Sequence, residues 1–282
     1  MTSVTYDDFS GSAAENYERY FVPAIATPVS GALLEAAQLA EGQRVVDVAC
    51  GTGVATRLAA RQIGAGGSLT GVDVAPDMIE VARSVPVPGD ATVDWVVADA
   101  TDIPLPDAEA DVVLCQMGLM FMPDRDAAVA EMARLLKPGG RLAVSTPGRI
   151  QPPFELMEQA LVDHIDPDLG GFVRAVFSMH DPDAVASLLR DAGLDGTDAR
   201  ETNATLELPG PAAFLWQYIH LTPMGAFVGS APDDAKAALE QQVVETWAPH
   251  VEDGATPVDQ PMVVATGVRW PSSPRHGRHR AN

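Results

Sequence analysis

The segment from residue 44 to 147 alternates short, β-branched apolar runs with stretches of helical spacing. The apolar runs lie at 44–49, 68–74, 93–99, 110–118 and 140–147. Strands that alternate with helices form βαβ units, in which consecutive strands run parallel. Because the strands of a parallel sheet are buried on both faces, continuous apolar runs such as these are typical of them. The alternation predicts an α/β fold with a doubly wound sheet, right-handed crossovers and helices on both faces.

The segments on either side of this core have a looser pattern. Helical spacing is found at 12–21, 27–40, 153–165, 181–193, 211–221 and 232–247, and the pattern is ambiguous at 170–180. The segments at 201–209 and 260–270 predict two further strands. The chain is therefore expected to divide into an N-terminal helical lid at 1–40, a ligand-binding core at 41–148, a lid insertion with C-terminal strands that complete the sheet at 149–270, and a tail at 271–282.

Charge differs between the tail and the rest of the chain. The tail, PSSPRHGRHRAN, carries three Arg and two His, and it is either a basic arm for an anionic partner or a disordered terminus. The whole chain has 39 Asp and Glu against 18 Lys and Arg, which gives a net charge of −21. Because phosphates are bound by Lys and Arg, this charge argues against a nucleic-acid-binding protein and against docking on an anionic membrane.

The compartment is indicated by three further features. No run approaches the ~18 consecutive apolar residues of a membrane span, and the polar N-terminus does not resemble a secretory signal. Cys50 and Cys115 are the only cysteines, too few for a disulfide framework or, alone, for a structural zinc site. We therefore expect a reduced, cytoplasmic protein without a metal centre.

Residues 45–56 read VVDVACGTGVAT, in which a buried strand is followed by small residues and then by a helix. Gly51 and Gly53 allow the backbone to take positive φ and to approach a ligand closely. The helix that follows offers free N–H groups at the carboxyl edge of the sheet, where doubly wound sheets bind ligands. An ordinary tight βα loop is the alternative for this segment taken alone.

The next two predicted strands both end in carboxylates. Asp73 ends the second strand, 22 residues beyond Gly51, and an acid at that position can accept hydrogen bonds from both ribose hydroxyls of an adenosine. Asp99 ends the third strand, where it can accept a bond from the adenine amine. Each acid alone could be a helix N-cap or a loop residue, but three such strand ends together indicate an adenosine site.

Two residues favour S-adenosylmethionine over a dinucleotide. The dinucleotide fingerprint requires a third small residue that leaves room for the pyrophosphate, and Thr56 stands at that position. Asp47, inside the first strand, would repel a pyrophosphate but suits the amino group and sulfonium of S-adenosylmethionine. It would act through water or by ordering the glycine loop. A buried acid that caps the N–H groups of the turn is the alternative, and both can hold together.

These residues belong to segments that resemble class I S-adenosylmethionine-dependent methyltransferases, in the small-molecule branch of the ubiquinone/menaquinone-biosynthesis type. The segments are VVDVACGTGVAT, GVDVAPDMIEVAR (71–83), ADATDIPLPDAEADVVLCQMGLMFMPD (98–124) and EMARLLKPGGRLAVSTP (131–147). The resemblance implies a Rossmann-like, seven-stranded, mostly parallel sheet with an antiparallel last strand and a helical lid. It also implies S-adenosyl-L-methionine as the methyl donor.

Roles of individual residues follow from the same resemblance. The glycines of the turn would pack against the methionine moiety, Met78 would lie near the adenine, and Gln116 would lie beside donor and acceptor. Tyr17 and Tyr20 fall where the family's N-terminal helix folds over the donor. The residues expected to contact the donor are Tyr17, Asp47, Ala49, Gly51, Gly53, Asp73, Val74, Met78, Asp99, Ala100 and Gln116. The family often has Gly at the position of Ala49, and alanine is small enough to keep the turn.

Methyl transfer is a direct displacement that depends on alignment and on the exclusion of water. No catalytic residue is therefore assigned, and His164, His180 and His220 are either candidate bases or ordinary histidines. The side chains expected to line an acceptor pocket, with core packing as the alternative, are Phe154, Phe172, Phe177, Phe214, Trp216, Tyr218, Met117, Met120, Phe121 and Met122. Their composition predicts a small, apolar or aromatic acceptor.

Two other functions remain open from the sequence. A nicotinamide-dependent oxidoreductase has a related fold, although Thr56 and the segment LLKPGG (135–140) argue against it. A non-catalytic relative that only binds the donor is the second. Cys50, in the glycine loop, could be a reactive thiol, because helix N-termini lower a thiol pKa, or a small packing residue.

Overall fold

A seven-stranded sheet runs through residues 11–270, the part of the chain that the computed structural model describes. Its strands are β1 (Arg44–Val48), β2 (Ser68–Asp73), β3 (Thr92–Val97), β4 (Ala110–Gln116), β5 (Leu136–Pro147), β6 (Asp195–Leu208) and β7 (Thr256–Val268). They lie in the order β3-β2-β1-β4-β5-β7-β6. The first five strands run parallel, and β7 is antiparallel to both of its neighbours. The predicted Rossmann-like sheet with an antiparallel last strand is confirmed.

Helices precede the sheet and connect its strands. They are α1 (Ala13–Asn16), α2 (Thr27–Ala37), α3 (Val54–Ile63), α4 (Pro76–Ser84), α5 (Arg125–Leu135), α6 (Pro152–His164), α7 (Leu169–Val176), α8 (Pro182–Asp191), α9 (Pro211–His220), α10 (Met224–Gly229) and α11 (Asp233–Trp247). Four of these helices begin with proline, whose fixed φ suits the first helical position. The prediction for the tail at 271–282 lies outside the described residues.

The two N-terminal helices predicted from the sequence are one continuous helical rod. Its middle part, Tyr17–Ala26, is π-helical and contains Pro23, which has no N–H to donate to a regular α-helical bond. The rod, Ala13–Ala37, is 25 residues long and, among the described residues, is the one helix apolar and long enough to cross a membrane. Leu33 and Ala37 pack against the sheet in the manner of a core helix of a folded domain.

Two elements begin earlier than their sequence patterns predicted. Strand β6 starts at Asp195 rather than at 201. The sequence pattern does not mark this earlier start, because β6 is the edge strand and its first half is polar and partly exposed. Strand β5 starts at Leu136, which pairs with Ala110 before the register shifts. The ambiguous segment 170–180 forms helix α7, and α10 was not predicted.

The apolar core has three main parts, two of which lie on the two faces of the sheet. Helices α2 and α3 cover one face, and helices α5 and α8 cover the other. The third part lies between the lid helices and the inward sides of β6 and β7, and it includes the fully buried Trp216 and Trp247. This third part surrounds the cavity described below.

Candidate active site

The loop between β1 and α3 has left-handed backbone at three positions. Gly51 has φ +55° and Gly53 has φ +90°. A Cβ atom at Gly53 would lie 2.8 Å from Cζ3 of Trp95 and closer still to Cη2, so this position accepts no larger residue without displacement of the indole. Ala49 has φ +57°, a conformation that costs an L-residue roughly 1–2 kcal/mol. The glycine that the family often has at this position avoids that strain.

Asp73 holds this loop at the end of β2. Its Oδ2 accepts a hydrogen bond from the Gly51 N–H at 2.8 Å, and its Oδ1 accepts one from the Ala75 N–H at 3.0 Å. Burial raises the pKa of Asp73, the two backbone N–H bonds lower it, and the nearby Asp77 raises it further. The carboxylate therefore fixes the glycine loop relative to β2 before any ligand is present.

Asp99 lies at the neighbouring strand end, where it is exposed. Its Oδ1 accepts hydrogen bonds from the Thr101 N–H at 2.8 Å and from the Thr101 hydroxyl at 2.7 Å. These bonds lower the pKa of Asp99, so the side chain is a carboxylate at neutral pH. Among the described residues, no other hydrogen bond to this carboxylate is made, which leaves Oδ2 open to a ligand.

These strand ends border a cleft of about 300 Å³, here called the rim cleft. Nine of the eleven predicted donor contacts line it, namely Tyr17, Ala49, Gly51, Asp73, Val74, Met78, Asp99, Ala100 and Gln116. Val74 is 65% exposed, which is unusual for a valine beside a buried strand and leaves an apolar surface for a ring to pack on. Gly53 lies behind the loop against Trp95 and does not line the cleft.

Asp47 lies beneath the rim cleft and does not line it. Its side chain is 0% exposed, and its Oδ2 accepts a hydrogen bond from the Thr56 hydroxyl at 2.6 Å. Burial raises the pKa of Asp47 to about 7, against the opposing effect of the bonds from Thr56. This geometry is that of a buried acid at the start of α3, and because the bond ties β1 to the first turn of α3 it also orders the glycine loop, so the two interpretations given to Asp47 hold together.

Tyr17 and Gln116 connect the N-terminal rod to the rim cleft. The Tyr17 ring stacks on Phe21 with centroids 4.6 Å apart and faces Gly51. Gln116 Nε2 donates to the Ala26 carbonyl at 3.0 Å, while its Oε1 is buried and has no hydrogen-bond partner among the described residues. Tyr20, the other tyrosine expected here, is not among the lining residues.

The charge of the rim cleft indicates which ligand it suits. Asp73 and Asp99 both line it, and none of the lining residues within 11–270 is Lys, Arg or His. Two carboxylates without a basic partner attract a cation and repel a pyrophosphate. The cleft therefore suits a sulfonium nucleoside better than a dinucleotide.

A second cavity of about 280 Å³, here called the apolar cavity, adjoins the rim cleft. Four residues line both spaces, namely Tyr17, Met78, Met117 and Phe121. The other walls of the apolar cavity come from the rod, from α6, from α7 and the residue after it, from α9 and the segment after it, from the end of β5, and from β6 and β7. Its lining within the described residues contains no Asp, Glu, Lys, Arg or His, and its polar side chains other than Tyr17 are Tyr218, Thr222 and Gln260.

Most of the predicted acceptor-pocket residues lie at or directly behind this cavity. Six of them line it, namely Phe154, Phe172, Phe177, Tyr218, Met117 and Phe121. Phe214 stacks behind Tyr218 with centroids 5.6 Å apart, and Trp216 Nε1 donates to Glu240 at 2.6 Å, away from the cavity. Met122 lines only the rim cleft, and Met120 packs in the core under the sheet.

None of the three candidate histidines lines either space. His164 is hydrogen-bonded to Gln242 at 2.6 Å, and His180 to the Phe177 carbonyl at 3.0 Å. Cys50 is buried, and burial raises the pKa of its thiol well above the usual value, as do Asp47 and Asp73 nearby. A thiol of this kind is protonated at neutral pH, which matches the packing interpretation of Cys50.

Several wall residues of the apolar cavity were not predicted from the sequence. Phe21, Ile25 and Val29 of the rod follow Tyr17 at intervals of four residues, a spacing that would have marked one face of a helix. Gln260 and Met262, two positions apart on β7, both line the cavity, but the sequence of their segment predicts only an ordinary buried strand. The pairing of β7 with β5 and β6 is what shows that the side of β7 carrying Gln260 and Met262 faces the cavity.

Comparisons with known proteins agree with the site. A family model described as a methyltransferase domain matches residues 46–144. The nocamycin O-methyltransferase of Saccharothrix syringae is 31% identical over 262 residues, which cover 87% of this chain and 92% of that protein. The ubiquinone/menaquinone biosynthesis C-methyltransferase UbiE of Paraburkholderia xenovorans (strain LB400) is 32% identical over 171 residues, 57% of this chain and 70% of that enzyme.

The fold is also that of a solved methyltransferase. Phosphoethanolamine N-methyltransferase 2 of Haemonchus contortus, in complex with S-adenosyl-L-methionine, superposes with a TM-score of 0.56 at 16% identity. The superposition covers 96% of this chain and 61% of that one. Because a full-length relative, the methyltransferase-domain match and the geometry of the rim cleft all agree, the chain belongs to the class I S-adenosylmethionine-dependent methyltransferases.

Proposed function

We propose that this methyltransferase transfers the methyl group to a hydroxyl oxygen of a small, largely apolar, aromatic acceptor that binds in the apolar cavity. The observation that carries the proposal is the contact between the two spaces, which share four lining residues. An acceptor in the apolar cavity therefore lies next to a donor in the rim cleft. The aromatic rings of Phe154, Phe172 and Phe177 supply flat apolar walls for such an acceptor.

The residues of the rim cleft fit S-adenosyl-L-methionine in shape and charge. We propose that Asp73 binds the ribose hydroxyls, that Asp99 binds the adenine amine, and that Val74 and Met78 pack on the adenine. We propose that Gln116, which lines the cleft and whose Oε1 has no hydrogen-bond partner among the described residues, accepts a bond from the donor's ammonium group. When bound, the donor supplies a methyl group on a positively charged sulfur, so the acceptor displaces a neutral leaving group.

The protein's own contribution is positioning and the exclusion of water. Tyr17 and Phe121 line both spaces, and the Phe121 ring stacks on Phe172 with centroids 6.1 Å apart. Burial raises the pKa of Tyr17, as do Asp73 and Glu18 nearby, so its hydroxyl is a neutral hydrogen-bonding group and not a base. Since the lining of the apolar cavity within the described chain carries no acid or histidine, we propose that the protein supplies no general base and that the acceptor hydroxyl loses its proton to bulk solvent as it enters the cavity, before water is excluded.

The oxygen acceptor is supported by the extent of the long relative's match. The nocamycin O-methyltransferase match spans 87% of this chain and so extends well beyond the core at 41–148, whereas the UbiE match spans 57%. We also propose that residues 41–148 bind the donor and that the lid insertion within 149–270 encloses the acceptor. Residues 11–40 of the predicted N-terminal lid would border both, because Tyr17 lines both spaces; the first ten residues of that lid lie outside the described residues.

We propose that the enzyme works in the cytoplasm. Cys50 and Cys115 are both buried free thiols, which is typical of proteins in reducing compartments.

The test is incubation of the purified protein with labelled S-adenosylmethionine and a panel of phenols, naphthols, aliphatic alcohols, amines, RNA and protein extract. We expect label on the phenols and naphthols, with mass spectrometry and nuclear magnetic resonance locating the new methyl group on oxygen. Label on RNA or protein, with no turnover of hydroxyaromatic compounds, would contradict the proposal. Donor binding without any turnover would favour the non-catalytic alternative.

A further inference from the structure

Strand β7 presents one polar side chain to the apolar cavity. Val258, Gln260 and Met262 alternate along the strand and are all buried, and the two apolar ones belong to the core around the cavity. Gln260 pairs with Ala204 on β6, so no side chain on the neighbouring strand offers it a hydrogen bond at that register. An amide among apolar residues is disfavoured unless its donors and its acceptor are satisfied.

The Gln260 amide is satisfied on one side only. Its Nε2 donates to the Pro261 carbonyl at 2.7 Å and to the Arg149 carbonyl at 3.4 Å. Because carbonyl oxygens can only accept, they fix the NH₂ end of the amide toward the backbone. The Oε1 atom therefore faces the other way. It is buried and has no hydrogen-bond partner among the described residues, and Gln260 as a whole is only 3% exposed.

A buried carbonyl oxygen without a partner among the described residues, in a side chain that lines a cavity, requires an explanation, because most buried polar atoms in native proteins are paired. Gln260 lies outside the rim cleft, so the donor does not satisfy this atom. Because Gln260 lines the apolar cavity, we take a molecule bound there as its partner, and since Oε1 can only accept, that molecule must present an O–H or N–H group.

We propose that Gln260 determines acceptor specificity by accepting a hydrogen bond from a second hydroxyl or N–H group on the acceptor, remote from the oxygen that is methylated. The inference rests on the proposed function and names the substrate class more closely: a neutral aromatic compound with at least two hydrogen-bonding groups. A carboxylate at the same point is rejected, because two acceptor oxygens would face each other.

The experiment compares the wild type with Gln260→Leu and uses a naphthalenediol with its hydroxyls on opposite rings as the probe. Binding is measured by calorimetry in the presence of S-adenosylhomocysteine, for the diol and for its dimethyl ether. We expect the ratio of the affinity for the diol to the affinity for the dimethyl ether to be about tenfold higher in the wild type than in the variant, which is the effect of one hydrogen bond. In turnover, the wild type should prefer the diol over its monomethyl ether in kcat/KM by a similar factor, and the variant should not.

Thr256→Val is the matched control. Thr256 lies on the same strand, is fully buried and has a hydroxyl without a hydrogen-bond partner among the described residues, but it lines neither space. Both variants should bind S-adenosylhomocysteine as the wild type does, and only Gln260→Leu should lose the preference for the diol. This comparison separates loss of a ligand contact from a general disturbance of β7.

The outcomes for the two proposals are distinct. Selective binding of the diol without turnover would contradict the proposed function and support the role of Gln260. Turnover with the same preference in wild type and Gln260→Leu would support the function and overturn the role of Gln260. Failure of every probe to bind the wild type would overturn it as well.

Discussion

Replacement of Gly53 by alanine tests whether the glycine loop is shaped by backbone conformation alone or also by the indole that packs on it. Gly53 has φ +90°, and a Cβ atom there would lie 2.8 Å from Cζ3 of Trp95. Gly139 has a similar φ of +86°, but a Cβ atom there would meet nothing within 4 Å. Gly139→Ala therefore carries only the conformational strain, while Gly53→Ala carries the strain and the collision.

The magnitudes follow from these two terms. Left-handed backbone costs an alanine roughly 1–2 kcal/mol, and overpacking against the indole of Trp95 costs roughly 1–3 kcal/mol more. We expect Gly139→Ala to lower the free energy of unfolding by about 1–2 kcal/mol and Gly53→Ala to lower it by about 2–5 kcal/mol. The gain from a stiffer unfolded chain is common to both variants and cancels in the comparison.

The assay is urea unfolding of both variants, together with calorimetric titration of S-adenosylhomocysteine. Trp95→Leu, combined with Gly53→Ala, should restore the part of the loss that comes from the collision, but not the part that comes from φ. Affinity for S-adenosylhomocysteine should fall in Gly53→Ala and stay unchanged in Gly139→Ala. Equal losses of stability in the two alanine variants would refute the reasoning, because the collision would then contribute nothing.

Three further predictions concern the two spaces and the acid beneath them. Asp73→Ala should weaken S-adenosylhomocysteine binding by about 1–3 kcal/mol in calorimetry, whereas Asp77→Ala, at an exposed acid outside the rim cleft, should not. Equal affinities of the two variants would contradict the proposal that Asp73 binds the ribose hydroxyls. Burial raises the folded-state pKa of Asp47 to about 7, above its unfolded value, so ionisation of this group opposes folding. The protonated form therefore stabilises the fold fully at acidic pH, and this contribution is lost as pH rises toward about 7. In urea unfolding, the free energy of unfolding of the wild type should therefore fall by up to about 4 kcal/mol between acidic pH and pH 8, and Asp47→Asn should lack this fall. A pH dependence identical to the wild type would show that Asp47 does not titrate in this range. Phe172→Ala should raise the KM for a naphthol acceptor about tenfold without changing donor affinity, while Phe227→Ala, at a phenylalanine that is 59% exposed and outside both spaces, should leave the KM unchanged; a higher KM in both would indicate a general loss of structure.

The core of the fold could be predicted because its central strands are buried on both faces. The apolar runs at 44–49 and 110–118 are continuous for that reason, and the structure places β1 and β4 within them. The edge strand β6 has no such signal in its first half, where the residues 195–200 are polar and partly exposed. Its length is set by pairing with β7, which is a tertiary effect that no local pattern contains.

The rim cleft was more predictable than the apolar cavity for a related reason. Parallel strands bring their carboxyl ends to one edge, so Gly51, Asp73 and Asp99 are adjacent by topology alone. The walls of the apolar cavity come from separate elements whose docking depends on packing. The sequence predicted aromatic walls in the lid, but Gln260 could not be distinguished from any other polar residue of a strand until its unpaired oxygen was located.

The hydrogen bond from Gln116 to the Ala26 carbonyl joins the sheet to the same helix that carries Tyr17. Tyr17 borders both compartments, so the N-terminal rod is a common wall rather than a cover for one of them. Detaching this wall would uncover the two chambers together. The spent nucleoside and the methylated product would then leave by a shared route, and a mutation that loosens the wall would speed the release of both.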